Sequence, residues 1–539
     1  MKCIVVLYAG GESLHQFDIL FDGKSAFDRC LAWAGTAVSK AAECPEIVVL
    51  TVPKLASFVS DAVSKAAVTA RVVVKPEWTA RLLCTEIRDA CKKQDADAAV
   101  YTWSDCPFLN DTLTAELVRT HTEYEAEYTF ADGYPYGFAP EIIAGTTAGI
   151  LAELPAEAAL KKGAQPVSRE SLFDMIKTDI NSFEIETVIA DTDWRMYRFN
   201  FACGSRAGVL ACSALYPVVQ ETEDVEKITT RAAQMPEILQ TVPAFYNVQI
   251  TGSYGSAGSC TYCPYPDSGD ASVQPPAEPM TVQAFKTLVP QMTALSETAV
   301  VGLSAWGEPL CHKDFIAFVQ AVLSEPGLSV LIETDGLYAD ESVASAIKEL
   351  VSQAPSRTCG TSSVIWIVSI DACTAETYKA LHKGCEHADE YLKKACDAVA
   401  LLQKFFPGDV YPQLVRTSRN ENELEQFYRY WSSAESPSGG KLIIQKYDWF
   451  CGLLPQDKPA DLAPIERNPC WHLRRDMTIL ADGRVPSCRE LVCGGSVGNV
   501  FNEGIADVWK KTKIMVEAQI KKNYSEKCRV CDEYYTFNF

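Results

Sequence analysis

Short apolar runs alternate with helix-length segments through the first 215 residues of the chain. Runs rich in Val, Ile and Leu predict strands at 3–8, 46–50 and 98–101, and the segments between them predict helices such as 25–40 and 80–93. This alternation is typical of βα units on a mainly parallel sheet. The pattern therefore predicts a Rossmann-like α/β domain over residues 1–215.

A second series of the same kind follows an acidic stretch without a clear apolar period, which we interpret as a linker over residues 216–244. Its strands are predicted near 247–250, 299–303, 329–332 and 364–370, each followed by a helical segment. This order favours a partial (β/α) barrel over residues 245–440, with its site at the strand ends. Residues 441–539 are cysteine-rich and predict a third, small domain.

Length and charge limit the kinds of partner. A chain of 539 residues is long enough for two or three domains. Its net charge of -21 argues against binding to nucleic acid or to an anionic membrane, because both need basic patches. A small-molecule or peptide substrate, or a protein partner, fits this charge better.

The amino-terminal ten residues run into a glycine turn too soon for a signal peptide, and the sequence has no apolar run of membrane-spanning length. We therefore expect a cytoplasmic protein with reduced thiols. Its 21 cysteines are then small apolar residues or metal ligands rather than disulfides.

The loop after the strand near 247–250 carries the most informative motif. It reads Ser256-Ala-Gly-Ser-Cys260-Thr-Tyr-Cys263, which is a Cys-x3-Cys-x2-Cys pattern with serine at its first position. A Cys-x2-Cys pair by itself is also compatible with structural zinc. Later strand ends carry further polar motifs in the same order along the chain: Gly302-Leu-Ser-Ala-Trp-Gly307-Glu308-Pro, Glu333-Thr-Asp-Gly336, Ser369-Ile-Asp371 and Gln413-Leu-Val-Arg416.

Taken together, these motifs resemble the radical S-adenosylmethionine enzymes that carry a C-terminal SPASM domain. More narrowly, they resemble the spiro-SPASM group, which joins that module to an N-terminal nucleotidyltransferase-like domain of the GT-A type. In this family a [4Fe–4S] cluster donates an electron to S-adenosylmethionine, and the resulting 5′-deoxyadenosyl radical abstracts a hydrogen atom.

The resemblance implies a role for several residues of the barrel. Cys260 and Cys263 would bind iron, and Tyr262 would lie near the adenine. The Gly307-Glu308 turn would accept hydrogen bonds from the methionyl ammonium group. Ser369 would reach the ribose, and Arg416 would pair with the methionyl carboxylate. Two thiolates and a Ser256 oxygen should hold a cluster poorly, because serine is a weaker acid and a harder ligand than cysteine.

The C-terminal cysteines form a second candidate metal site. The spacing is Cys470-x12-Gly483-x4-Cys488, followed by Cys528-x2-Cys531. Four thiolates suit either zinc or an iron–sulfur cluster, so ligand count alone leaves both open. The pattern resembles a shortened SPASM domain, and that resemblance favours [4Fe–4S]. Cys493 could replace one of these ligands, although a core or surface thiol is its expected role. His472 is expected beside the site or on the surface rather than as a ligand.

A third candidate site lies in the N-terminal domain. Gly10 and Gly11 follow the first strand, where a nucleotidyltransferase places its phosphate loop, and Asp105 follows a later strand, where such an enzyme binds Mg²⁺. His15 and Asp18 stand where the family's arginine and lysine are expected, so the charges that neutralise pyrophosphate are missing. We therefore expect either a structural Rossmann-like sheet with an ordinary glycine turn and a capping aspartate, or a degenerate, non-catalytic binder of nucleotide sugars, rather than a transferase.

Three functions remain open at this stage. The first is an iron–sulfur protein of the radical SAM/SPASM type, and a radical SAM enzyme if active, that modifies a peptide or a sugar nucleotide. The second is a catalytically inactive scaffold that binds a cluster and a nucleotide sugar. The third is a sugar-nucleotide transferase with an attached cluster domain.

Overall fold

A computed structural model describes residues 1–11, 13–154, 161, 163–220, 223–255, 258–265, 278–357, 361–460, 463–490 and 495–534. The chain divides into two units, Met1–Leu239 and Gln240–Phe539, and each is built on a seven-stranded sheet. No helix within the described ranges is long and apolar enough to cross a membrane.

The sheet of the first unit has the order β3-β2-β1-β4-β6-β5-β7. Its strands are β1 Cys3–Ala9, β2 Ile47–Thr51, β3 Arg71–Val74, β4 Ala98–Trp103, β5 Tyr128–Asp132, β6 Glu141–Ala144 and β7 Ile185–Ile189. Strand β6 runs antiparallel to both neighbours, whereas the other pairs are parallel. Every residue of β1 and β2 is buried, as expected for parallel strands covered on both faces.

The helices of the first unit are α1 Ala26–Ala41, α2 Ala56–Lys65, α3 Ala80–Gln94, α4 Asp111–Glu123, α5 Gly145–Glu153, α6 Ser171–Ile176, α7 Arg206–Leu215, α8 Val225–Ala232 and α9 Pro236–Leu239. The Ser25, Thr79 and Asn110 side chains cap α1, α3 and α4 by accepting hydrogen bonds from backbone amides. The predicted strands and helices are present here, with ends that differ by one or two residues. The expected linker 216–244 contains α8 and α9, which belong to the first unit.

The second unit contains a fully parallel sheet of order β13-β12-β11-β10-β9-β8-β14. Its strands are β8 Phe245–Val248, β9 Ala299–Gly302, β10 Leu328–Thr334, β11 Val364–Ser369, β12 Val410–Arg416, β13 Ile443–Lys446 and β14 Asp476–Ile479. Strands β8 to β13 follow chain order, which is the order of a (β/α) barrel left open. A separate hairpin pairs β15 Arg484–Pro486 with β16 Ser496–Asn499.

The helices of the second unit are α10 Val282–Ser296, α11 Phe315–Leu323, α12 Glu341–Gln353, α13 Ala375–Leu381, α14 Ala388–Phe405, α15 Leu424–Trp431, α16 Trp471–Arg475, α17 Val500–Glu503, α18 Ile505–Ile520 and α19 Glu526–Val530. One apolar core contains buried side chains drawn from the sequence between Tyr246 and Trp509. Strands β13 and β14 lie beyond residue 440 and yet belong to the barrel sheet, so the C-terminal segment shares the barrel's core.

Candidate functional site

A cavity of about 240 Å³ opens at the carboxyl ends of the barrel strands. Most of the residues that the sequence assigned to the barrel site line it together: Cys260, Tyr262, Cys263, Gly307, Glu308 and Ser369. They come from segments that follow β8 and β9 and from the end of β11. Parallel strands bring their carboxyl ends to one edge of a sheet, so motifs far apart in sequence meet here. Ser256 lies outside the described residues.

The loop that carries Cys260 and Cys263 is held by a buried carboxyl group. The Tyr262 hydroxyl donates to Asp371 Oδ2 at 2.6 Å, and the Val415 amide donates to Asp371 Oδ1 at 2.5 Å. Asp371 is fully buried, and this burial raises its pKa to about 7. Asp371 therefore links the cysteine loop to the end of β12, a role that the motif Ser369-Ile-Asp371 alone did not reveal.

The Gly307-Glu308 turn packs directly on the start of the same loop. The Glu308 amide donates to the Ser253 carbonyl at 2.7 Å, and a Cβ atom on Gly307 would lie 2.2 Å from the Thr251 carbonyl oxygen. The Glu308 carboxylate is buried and accepts hydrogen bonds from Thr334 Oγ1 and from two backbone amides. Burial, and secondly the nearby Asp335, raise the pKa of Glu308.

Arg416 is not among the described residues that line the cavity. Its guanidinium group donates to both oxygens of Glu421, at 2.7 and 2.5 Å. The cavity wall instead carries the cationic side chains of Lys446 and Arg489. Neither residue belongs to a sequence motif, except that Arg489 directly follows Cys488.

Lys446 and Arg489, both half-buried, belong to a seam of charged residues whose carboxylates are buried: Asp448, Glu490, Asp532 and Glu533. Lys446 Nζ lies 2.8 Å from Glu533 Oε1, and Arg489 lies 3.6 Å from Asp448 and 3.1 Å from Glu490. Within the described part of the chain, three metal-ligating atoms within 4.8 Å of one another occur at Asp448, Asp532 and Glu533. Cationic side chains already contact each of these carboxylates: Lys458 contacts Asp532, Lys446 contacts Glu533, and Arg489 contacts Asp448.

Residues of this seam line two cavities: Lys446, Asp448 and Arg489 line the barrel cavity, and Glu490 and Glu533 line a second cavity of about 370 Å³. The second cavity is lined by all four cysteines that the sequence assigned to the C-terminal site, and by one that it missed: Cys470, Cys488, Cys528, Cys531 and Cys451. Gly483 (φ +81) makes the tight turn between β14 and β15, where a Cβ atom would meet Phe501 at 2.3 Å. This turn directs the chain into the hairpin strand that precedes Cys488.

The protein surrounds these thiols with polar groups of its own. The Cys470 amide donates to Gln519 Oε1 at 2.8 Å, and Gln519 Nε2 lies 3.8 Å from Cys528 Sγ. Arg467 donates to the carbonyl groups of Cys528 and Cys531. His472 lines the same cavity, and its Nδ1 pairs with Asp476 Oδ2 at 2.5 Å.

The donor set at this cavity suits a thiolate-bound cluster. Burial raises the pKa of Cys470 and of Cys488, so these thiols remain protonated until a metal replaces the proton. Four thiolates suit either a zinc ion or an iron–sulfur cluster, so the donor set by itself does not decide between them. Cys493 lies outside the described residues.

In the first unit, Gly10, Gly11 and Asp105 follow the neighbouring strands β1 and β4, as the sequence suggested. Arg169, however, donates to both oxygens of the buried Asp105 carboxylate, at 3.2 and 2.6 Å. The same guanidinium group lies over the rings of Trp103 and Tyr136, 4.4 and 4.6 Å from their centroids. The cation that contacts the Asp105 carboxylate in this structure is therefore the Arg169 guanidinium group.

The C-terminal segment is similar to a known domain family. Residues 470–532 match the SPASM iron–sulfur cluster-binding domain. This confirms the SPASM segment and indicates iron–sulfur cluster binding. An uncharacterized protein of Treponema pallidum (strain Nichols) is 38% identical over 371 residues, which are 68% of this chain and 98% of the relative. The chain belongs to the family of this spirochaete protein.

Two solved structures each align with part of the chain. A structure described as BtrN in complex with AdoMet and 2-DOIA is 17% identical, covers 54% of this chain and 94% of its own, and has a TM-score of 0.35. A cytidylyltransferase from Leptospira borgpetersenii serovar Hardjo-bovis (strain JB197) is 14% identical, covers 45% and 98%, and has a TM-score of 0.37. At these scores the two likenesses carry no functional argument.

Proposed function

We propose that this protein is a radical SAM/SPASM-type iron–sulfur protein of the spiro-SPASM group, with S-adenosylmethionine bound in the barrel cavity. The observation that carries the proposal is the meeting of Cys260, Cys263, Tyr262 and the Gly307-Glu308 turn in one cavity at the strand ends. When bound, a [4Fe–4S] cluster there would supply one electron for cleavage of S-adenosylmethionine.

The chain's own residues have separable tasks in this proposal. Tyr262, fixed by Asp371, lies on the cavity wall where the adenine is expected. The Glu308 carboxylate already accepts three hydrogen bonds from within the protein. In this proposal the turn therefore contacts the ligand through its backbone. Because Arg416 does not line the described cavity whereas Lys446 and Arg489 do, we assign the methionyl carboxylate to one of these two cations.

For the C-terminal cavity we propose one auxiliary [4Fe–4S] cluster on Cys470, Cys488, Cys528 and Cys531. We also propose that the substrate binds in the barrel cavity beside the charged seam, because Lys446 and Arg489 line that cavity. A peptide carboxylate or the phosphate of a sugar nucleotide could pair with such groups.

We infer that the first unit binds a nucleotide sugar without transferring it. Arg169 supports this assignment because it occupies both oxygens of the carboxylate that would otherwise bind Mg²⁺. A fixed guanidinium group can still neutralise a bound diphosphate. This arrangement argues against the transferase alternative and leaves the inactive scaffold as the main rival to the enzyme.

The test is binding and cleavage of S-adenosylmethionine by the full-length protein after anaerobic reconstitution with iron and sulfide. We expect calorimetric binding and, after reduction, formation of 5′-deoxyadenosine measured by mass spectrometry. A Cys260→Ala, Cys263→Ala double variant is the matched control and should yield none. If millimolar S-adenosylmethionine gives no heat with wild-type protein, the scaffold replaces the enzyme as the function.

A further inference from the structure

A cysteine that none of the sequence motifs includes, Cys451, lies in the wall of the four-cysteine cavity. Its side chain is buried, and its thiol is in hydrogen-bonding contact with the thiol of Cys531. Helix α19, which contains Cys528 and ends beside Cys531, packs on the 3-10 turn Phe450–Gly452 that carries Cys451. Cys451 therefore touches one of the four assigned ligands from a distant segment of the chain.

The turn that carries Cys451 has a strained backbone. Phe450 and Cys451 have left-handed φ angles of +51 and +52, and Gly452 follows at +91. Residues other than glycine keep such angles only where the surrounding structure imposes them. Here the Phe450 amide donates to Asp448 Oδ1 at 2.8 Å, and the Phe450 ring packs on Trp306 with ring centroids 5.3 Å apart. As a result, Phe450 lines the barrel cavity while the next residue, Cys451, lines the C-terminal cavity.

Cys451 is not needed as a ligand. A [4Fe–4S] cluster takes one thiolate for each iron, and the four assigned cysteines provide all of them. The fifth cysteine then keeps its S–H group, which is a weak hydrogen-bond donor. Cys531 gives up its proton when it binds iron, so only Cys451 can donate between these two sulfurs. The Glu533 amide, 3.3 Å from Cys531 Sγ, is a second donor to the same sulfur.

We propose that the Cys451 thiol donates a hydrogen bond to the Cys531 sulfur of the auxiliary cluster and thereby raises the reduction potential of that cluster. Reduction adds one electron to the cluster, and a donor at a ligand sulfur stabilises the added negative charge. Cys451 is thus a positioning residue that acts through Cys531. This proposal rests on the auxiliary cluster proposed above and does not depend on binding of S-adenosylmethionine.

The experiment measures the midpoint potential of this cluster in the full-length protein, by anaerobic titration with dithionite followed by EPR. The parent protein carries Cys260→Ala and Cys263→Ala, so that only the auxiliary cluster assembles. Adding Cys451→Ala should keep about four irons per chain and shift the potential to a more negative value. Cys451→Ser differs from that variant by one hydroxyl group, which can donate again, so its potential should lie closer to that of the parent. Cys396→Ala removes a thiol that lines neither of the two described cavities and should leave the potential unchanged.

A second measurement detects the donor itself. After exchange into D2O, the reduced cluster should show deuterium couplings by ENDOR spectroscopy, and one of them should be absent in Cys451→Ala. An unchanged potential in Cys451→Ala, or an equal shift in Cys451→Ser, would overturn the proposal while the cluster assignment stands. A loss of about four irons in Cys451→Ala would overturn it by making Cys451 a ligand. A parent protein that binds no iron would refute the auxiliary cluster and this proposal with it.

Discussion

Substitution of Gly307 by alanine is the sharpest test of how the turn positions the cysteine loop. The added Cβ atom would lie 2.2 Å from the Thr251 carbonyl oxygen and 3.3 Å from that of Ser253. Carbon and oxygen atoms approach to roughly 3.3 Å at closest, so one backbone segment must move by about 1 Å. Both obstacles are backbone atoms, so no side-chain rotation can relieve the contact.

The expected cost follows from this displacement. Overpacking of a buried site costs about 1–3 kcal/mol, and we expect the upper half of that range because backbone must move. In a unit of this size each kcal/mol lowers the melting temperature by about 2–4 °C, which gives a decrease of about 5–10 °C. The affinity for S-adenosylmethionine should fall at least about tenfold, because a shift of 1 Å misplaces the loop against the ligand.

Thermal unfolding of the full-length protein and calorimetric titration with S-adenosylmethionine measure the two effects. Gly149→Ala is the matched control, because Gly149 lies inside α5 and its new Cβ atom would meet only the flexible Arg88 side chain, at 3.1 Å. That variant should be neutral or slightly more stable, by up to about 1 kcal/mol. Unchanged stability and unchanged affinity in Gly307→Ala would refute the reasoning.

Three further predictions concern single side chains. Asp371→Asn should remove a pH dependence of the free energy of unfolding, because burial raises the pKa of Asp371 to about 7. As the pH rises from 4 towards 8, the wild-type protein should therefore lose stability relative to the variant in urea titrations. Parallel curves for the two proteins would contradict this. Cys451→Ala should retain all bound iron whereas Cys531→Ala should lose about four irons, and an equal loss in both would make Cys451 a ligand. Arg169→Ala should destabilise the first unit by about 3–5 kcal/mol in urea, because it leaves the buried Asp105 unpaired, and a loss below about 1 kcal/mol would show that the pair is dispensable.

The sequence alone determined the type and order of the elements. The buried strands β1, β2 and β4 are rich in Val, Ile, Leu and Ala, and such apolar runs indicate burial on both faces of a sheet, whichever strands they pair with. The cysteine spacing at the C-terminal site and the Gly307-Glu308 motif were also visible in the sequence. These signals are local, so they could be read without knowing which segments meet in space.

The sequence did not show which strand ends the barrel sheet of the second unit. Strand β14 pairs with β8 and extends the barrel sheet, although the two strands are far apart in the chain. Pairing of this kind depends on long-range packing and leaves no local periodicity. For the same reason the boundary predicted at residue 440 crosses a single apolar core.

Only the tertiary structure decided which charges and thiols act together. It brought Arg169 onto Asp105 from 64 residues away and placed Cys451 in the four-cysteine cavity. A lone arginine or cysteine carries no spacing motif, so its partner cannot be read from the chain. The physical reason is that ligand sets and ion pairs depend on distances of a few ångströms, and these are fixed only when strand ends and loops pack together.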